Sequence, residues 1–318
     1  MIKSLNSLRK FISVLFLVFI AIFFYYIISK LPNLNILFNF SWSLIYLIGV
    51  LFFIILLLRG FINYYFFVSF NIYLSLNESI GLAAVNTLAN QLPFIGGLIA
   101  KGLYLKRIHQ LNYLSFLSSN IPLYVLFISL NGFIGLFIIF YWHFIDNINI
   151  SFLLFLFYIL MSFSFIVVFF PIKAGYFPKK TKKYILKIIN GWTIFSGKPL
   201  LVGRILLLQG IITCLFAARF WLSFRSLSHN ISFIQCIFLA SATVLSRIIN
   251  IIPGNIGIRE AIIASLSSSL GFNPGISIIA VGIDRIITTI FMFLIGSIYT
   301  FILSYKAKLS FFSIFNRE

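Results

Sequence analysis

Residues 242–266 read ATVLSRIINIIPGNIGIREAIIASL. An apolar helical run stops at Pro253, Gly254 and Gly257, then resumes with Arg259 and Glu260 in its first turn. Proline removes a backbone donor and glycine disfavours the helix by about 1 kcal/mol relative to alanine, so the chain breaks there. Each half is too short to cross a bilayer, which needs about 20 apolar residues. Backbone freed inside hydrocarbon is tolerated only where protein or a cavity covers it. The spacing therefore predicts a re-entrant element over about residues 233–270.

A second break lies in the first half of the chain. Asn90-Gln91-Leu92-Pro93-Phe94-Ile95-Gly96-Gly97 interrupts an apolar stretch at about 80–108. When Pro93 is aligned with Pro253, Gly97 meets Gly257 and Leu98 meets Ile258. The two breaks are about half the chain apart, and each follows two apolar runs and precedes one. Three spans per half make the second half enter from the opposite side. That is an inverted-topology repeat, with pseudo-repeats at about 8–145 and 150–305 in a single domain covering residues 1–318.

Composition agrees with a bilayer as solvent. Of 318 residues, 61% are hydrophobic and 9% charged, against about 25% charged in a soluble domain. The long unbroken apolar runs favour helices over a barrel. The fold expected is an all-α polytopic membrane protein with about six full spans plus the two broken elements. The spans fall near 11–29, 42–58, 116–141, 152–171, 204–222 and 276–304. The second is expected to end at Arg59, with residues 61–76 at the interface. The first apolar run is too long for a signal peptide and no small-x-small site follows it, so it reads as a retained span.

The net charge is +19. In a soluble chain this would suggest nucleic acid; here it reads as basic loops on the cytoplasmic face, in contact with anionic lipid headgroups. With both broken elements re-entrant, one side collects 18 of the 24 Lys and Arg residues. Both termini are therefore expected in the cytoplasm, and the chain in the cytoplasmic membrane. Lys173, Lys179, Lys180, Lys182, Lys183 and Lys187 form the densest basic run. It suits lipid headgroups or a cytoplasmic partner. Lys101, Lys106 and Arg107 read as cytoplasmic anchors.

Chemistry concentrates near the second break. Only two of the five acids, Glu260 and Asp284, fall at membrane depth, near Arg247, Arg259 and Arg285. Ionisable groups there pair with one another or line a wet cavity. The cluster reads either as structural ion pairs or as an anion site. In the second case half-helix N-termini and arginines bind a phosphate around Pro253 and Gly257, while Glu260 and Asp284 hold the arginines. The first break offers the amides Asn86, Asn90 and Gln91 beside Pro93 and Gly97 as a polar path or as helix–helix hydrogen bonds. Cys214 and Cys236 have no metal-type spacing, and His109, His143 and His229 form no ligand cluster. No metal, no cofactor and no catalytic residue is expected; no Walker A sequence or Ser-His-Asp set is present.

The segments Asn90–Gly97 with Lys106-Arg107, and above all Ile252-Pro253-Gly254-Asn255-Ile256-Gly257-Ile258-Arg259-Glu260, resemble the membrane region of lysylphosphatidylglycerol synthases. Asp284-Arg285 is similar to that family's late arginine position. Gly254-Asn255 departs from a Gly-Gly pair common nearby. The resemblance implies flippase-like handling of a phospholipid or of a lipid-linked polyprenyl or hopanoid-type substrate. Only about 14 residues follow the last span, so the family's aminoacyltransferase domain is not expected. A membrane-embedded transferase acting on a lipid carrier, with Glu260 or Asp284 as base, is one alternative. A non-transporting partner of a lipid or glycan biosynthetic enzyme is the other.

Overall fold

The structure, a computed structural model, describes residues 42–91, 96–111, 113–146, 151–169, 197–248 and 253–307, together with Leu186 and Thr193. The expected span at 11–29, Pro93 and the lysine run at 173–187 lie outside the described residues, Leu186 excepted. All regular structure among the described residues is helical. In chain order the helices are α1 (Trp42–Ser69), α2 (Leu76–Ala89), α3 (Gly96–Ile108), α4 (Tyr113–Phe144) and α5 (Phe152–Phe169). They continue as α6 (Pro199–Ser226), α7 (Phe233–Ala242), α8 (Val244–Ile248), α9 (Ile258–Ser269) and α10 (Pro274–Lys306). A single 3-10 turn, Pro253–Asn255, precedes α9.

Among the described residues, four segments are long and apolar enough to cross a membrane: α1, Asn120–Phe144 of α4, α6 and α10. The apolar parts of α5 and of α7–α8 are shorter. Around each break the order is the same: a long helix, a short arm, the break, a second short arm, a long helix. The helix starts follow ordinary capping chemistry. The Ser75 hydroxyl accepts from the Glu78 N–H at 3.2 Å. Ser232 and Gln235 form a reciprocal capping box at α7. Asn273 caps α10, with Pro274 in its first turn.

One boundary differs from the sequence reading. The helix expected to end at Arg59 runs on to Ser69, and residues 61–69 belong to it. Arg59 thus sits inside α1 rather than at its end. The Lys198 ammonium donates to the Ser69 carbonyl at 2.9 Å and stops the helix by satisfying a terminal acceptor.

The interior among the described residues is built from Ile, Leu and Phe, and the phenylalanines are among its largest side chains. Phe66, Phe67, Phe116, Phe220, Phe224 and Phe238 are completely buried. Phe137, Leu153 and Phe301 are each 74% exposed, as expected of side chains that face hydrocarbon. The α4–α5 hairpin closes at Gly135, where an added Cβ would stand 1.9 Å from the Tyr158 ring. Tyr158 cannot step aside: it is fully buried, donates to the Phe238 carbonyl at 3.1 Å and contacts Ser241 at 3.0 Å. Gly135→Ala is expected to destabilise by about 1–3 kcal/mol, the usual cost of overpacking. Thermal unfolding in detergent checks this, and an unchanged midpoint would contradict the packing.

Candidate anion-binding cavity

The two breaks meet. The Gly254 N–H donates to the Asn90 carbonyl at 3.2 Å, joining the end of α2 to the turn before α9. Gly254 (φ 63°) and Gly257 (φ 89°) both lie in the left-handed region, where a Cβ is strained. A Cβ on Gly254 would also stand 2.4 Å from Gln91 Oε1. Each resumed helix has an N-terminal donor held by a side chain. Asn90 Oδ1 accepts from Gly97 N–H at 3.2 Å, and Glu260 Oε2 accepts from Gly257 N–H at 2.8 Å. The matched positions Gly97 and Gly257 are thus capped by side chains from different places. One comes from the arm before the break, the other from the helix after it.

Asp284 is the electrostatic centre. It is fully buried in α10. Its Oδ1 accepts from Arg219 Nε at 2.7 Å, with Arg219 Nη2 also at 2.7 Å. Its Oδ2 accepts from Arg259 Nη2 at 2.6 Å. One carboxylate thereby ties α6, α9 and α10 together. Arg285 donates to the Gly254 and Asn255 carbonyls at 3.2 and 3.3 Å and sits 3.2 Å from Glu260. Arg219, in α6, was not part of the cluster read from sequence. Its signal was available: an arginine in the middle of an apolar run needs a buried acid, and only two acids lie at membrane depth.

These groups border a cavity of about 570 Å³, within the usual range for ligand pockets. Asn90, Arg259 and Arg285, expected at a site, line it. Gly254, Asn86 and Gln91 line it as well. Glu260 and Asp284 are buried behind it. Pro253 starts the turn at its edge. Arg247 lies in α8, and its side chain is outside the described residues.

Two cations of the lining correct the sequence reading. Lys101, expected as a cytoplasmic anchor, is 5% exposed and faces the cavity. Its ammonium donates to Asn63 Oδ1 at 2.6 Å and lies over the Phe67 ring at 5.0 Å. Arg59 also lines the cavity, donating to Thr87 Oγ1 at 3.3 Å. Lys106 and Arg107 are exposed, as an anchor role requires. The charged lining among the described residues is therefore Arg59, Lys101, Arg219, Arg259 and Arg285, with no carboxylate.

A second ionic knot lies apart from the cavity. Glu78, read from sequence as lying outside the membrane, is buried. Tyr104 donates to it at 2.7 Å, His109 meets it at 2.8 Å and Lys306 donates at 3.2 Å, so α2, α3 and α10 are bound together. Burial alone would raise the Glu78 pKa, but the bonds from His109, Tyr104 and Lys306 outweigh it and hold the carboxyl below the ordinary glutamate range. A depressed folded-state pKa contributes stability that is present above the unfolded value and is lost as pH falls through the folded one. The thermal midpoint should therefore drop below about pH 4.3, and by less in Glu78→Gln. Equal acid sensitivity in both would contradict this role.

An all-helical membrane protein with two glycine-rich breaks joined over a cationic cavity is the class these features define. The chain belongs to the family described as the lysylphosphatidylglycerol synthase TM region, whose model matches residues 10–296. No curated protein and no solved structure matches it.

Proposed function

We propose that the chain moves a lipid with an anionic headgroup across the cytoplasmic membrane, both termini lying on the cytoplasmic side. The headgroup passes through the cavity at the joined breaks while the tails stay in the bilayer. One observation carries this reading: among the described residues, five cations and no carboxylate line a cavity set among apolar helices. Charge in hydrocarbon is costly unless paired, and an anionic headgroup supplies the missing partner. Membership of a family named for a lipid synthase's membrane region supports a lipid as the cargo. The matching helix order around the two breaks supports an inverted repeat in which one half rocks against the other.

The test is leaflet exchange in proteoliposomes. Fluorescent phosphatidylglycerol, phosphatidic acid and a prenyl diphosphate are followed by quenching from outside. Exchange of at least one of them faster than in empty vesicles, and slowed in Arg259→Ala, is expected. Exchange no faster than in empty vesicles for all three overturns the reading. Turnover of a lipid-linked sugar without exchange would replace it with a membrane transferase.

A further inference from the structure

The five lining cations are not equivalent. Arg219 and Arg259 share Asp284, and Arg285 faces Glu260. Arg59 and Lys101 have no carboxylate partner among the described residues. Five cations against two carboxylates leave three positive charges unbalanced in a buried space. Thr87 and Asn63 are neutral, so they orient Arg59 and Lys101 without offsetting their charge.

Arg59 and Lys101 both line the cavity. Arg59 and Asn63 are one turn apart on α1, so they share a face about 6 Å apart at Cβ. Asn63 holds the Lys101 ammonium, which is thereby placed beside the Arg59 turn. The other end of the cavity also has an open donor. Arg259 Nε is buried without a hydrogen-bond acceptor among the described residues, and Arg285 Nη1 stands 3.2 Å from Glu260 Oε1. The two ends are close: the Arg59 and Arg219 guanidiniums lie against the same Phe216 ring, 5.7 and 4.8 Å from its centroid.

Resting on the transport reading above, we propose that Arg59 and Lys101 form a second anion subsite, and that the cargo headgroup is a diphosphate. One phosphate meets the guanidiniums of Arg259 and Arg285, and the other meets Arg59 and Lys101. A lipid diphosphate carries two to three negative charges, close to the three it must balance. A phosphodiester lipid carries one and leaves the second subsite empty.

Binding to the full-length protein in phosphatidylcholine nanodiscs tests this, with farnesyl diphosphate, farnesyl phosphate and inorganic pyrophosphate as probes. The wild type is expected to bind farnesyl diphosphate at least tenfold more tightly than farnesyl phosphate. Lys101→Met should remove that preference by weakening farnesyl diphosphate far more than farnesyl phosphate. Lys101→Arg should keep it, and Arg59→Gln, which alters a half-buried residue, should lower it independently. Equal affinity for the mono- and diphosphate, or equal weakening of both in Lys101→Met, overturns the proposal. Pyrophosphate binding as tight as farnesyl diphosphate overturns the lipid as the source of the diphosphate. Failure of the diphosphate preference while anionic lipids still exchange leaves transport standing and removes only the second subsite.

Discussion

Asp284→Asn is expected to cost about 3–5 kcal/mol, the usual penalty for breaking a buried ion pair by removing one partner. The carboxylate is fully buried and accepts from two guanidiniums at 2.6–2.7 Å. Asparagine keeps the shape but removes the charge. It also turns an NH2 donor toward one of the arginines. Arg219 and Arg259 would then repel each other across a desolvated gap, and α6, α9 and α10 would lose their shared anchor. Thermal unfolding in detergent should show a midpoint lower by on the order of 10 °C. Adding Arg219→Met should recover part of the loss, because it removes one stranded charge. A single variant within about 1 kcal/mol of wild type would show that Asp284 is not the centre of the bundle.

Lys101→Met is expected to act in the opposite direction on the empty protein. An ammonium 5% exposed, with only an amide and two aromatic rings around it, carries a desolvation cost of several kcal/mol. Methionine matches the stem and removes the charge. The loss is the hydrogen bond to Asn63, whose stranded acceptor costs about 1–3 kcal/mol. Desolvation is the larger effect, so the ligand-free variant should be more stable by about 1–2 kcal/mol, taking the difference of these costs. Addition of a prenyl diphosphate should reverse the order. A ligand at a hundred times its Kd stabilises by about 2.7 kcal/mol, and the variant should gain much less. Thermal scans with and without ligand check both halves. A ligand-free variant less stable than wild type would assign Lys101 a structural role.

Much of this architecture is legible in the sequence because proline and glycine act locally. Pro253, Gly254 and Gly257 mark the second break whatever surrounds them, and the backbone there is left-handed at both glycines. Arg259, Glu260, Asp284 and Arg285 were legible because charges inside apolar runs are rare and must find one another. What hydropathy could not supply is the partner of a charge near the end of a run. Arg59 and Lys101 read as membrane edges because basic residues normally flank spans. Thr87 holds Arg59 half-buried, and Asn63, Phe67 and Phe116 enclose Lys101, through pairings distant in sequence that only the folded bundle brings near. The partners of Glu78 were not legible for the same reason: Lys306, which donates to it, lies at the far end of the chain. The site is accordingly larger than the second break and extends across the contact between Gly254 and Asn90 to the first.

If this cavity holds an anionic lipid headgroup, native mass spectrometry should detect it on the protein. The purified protein is incubated with equal amounts of phosphatidylcholine and a prenyl diphosphate, then released from detergent. One anionic lipid per chain is expected to be retained, and to be lost in the Arg59→Gln, Lys101→Met double variant. Adducts of both lipids in the proportions supplied, unchanged in the double variant, would contradict it.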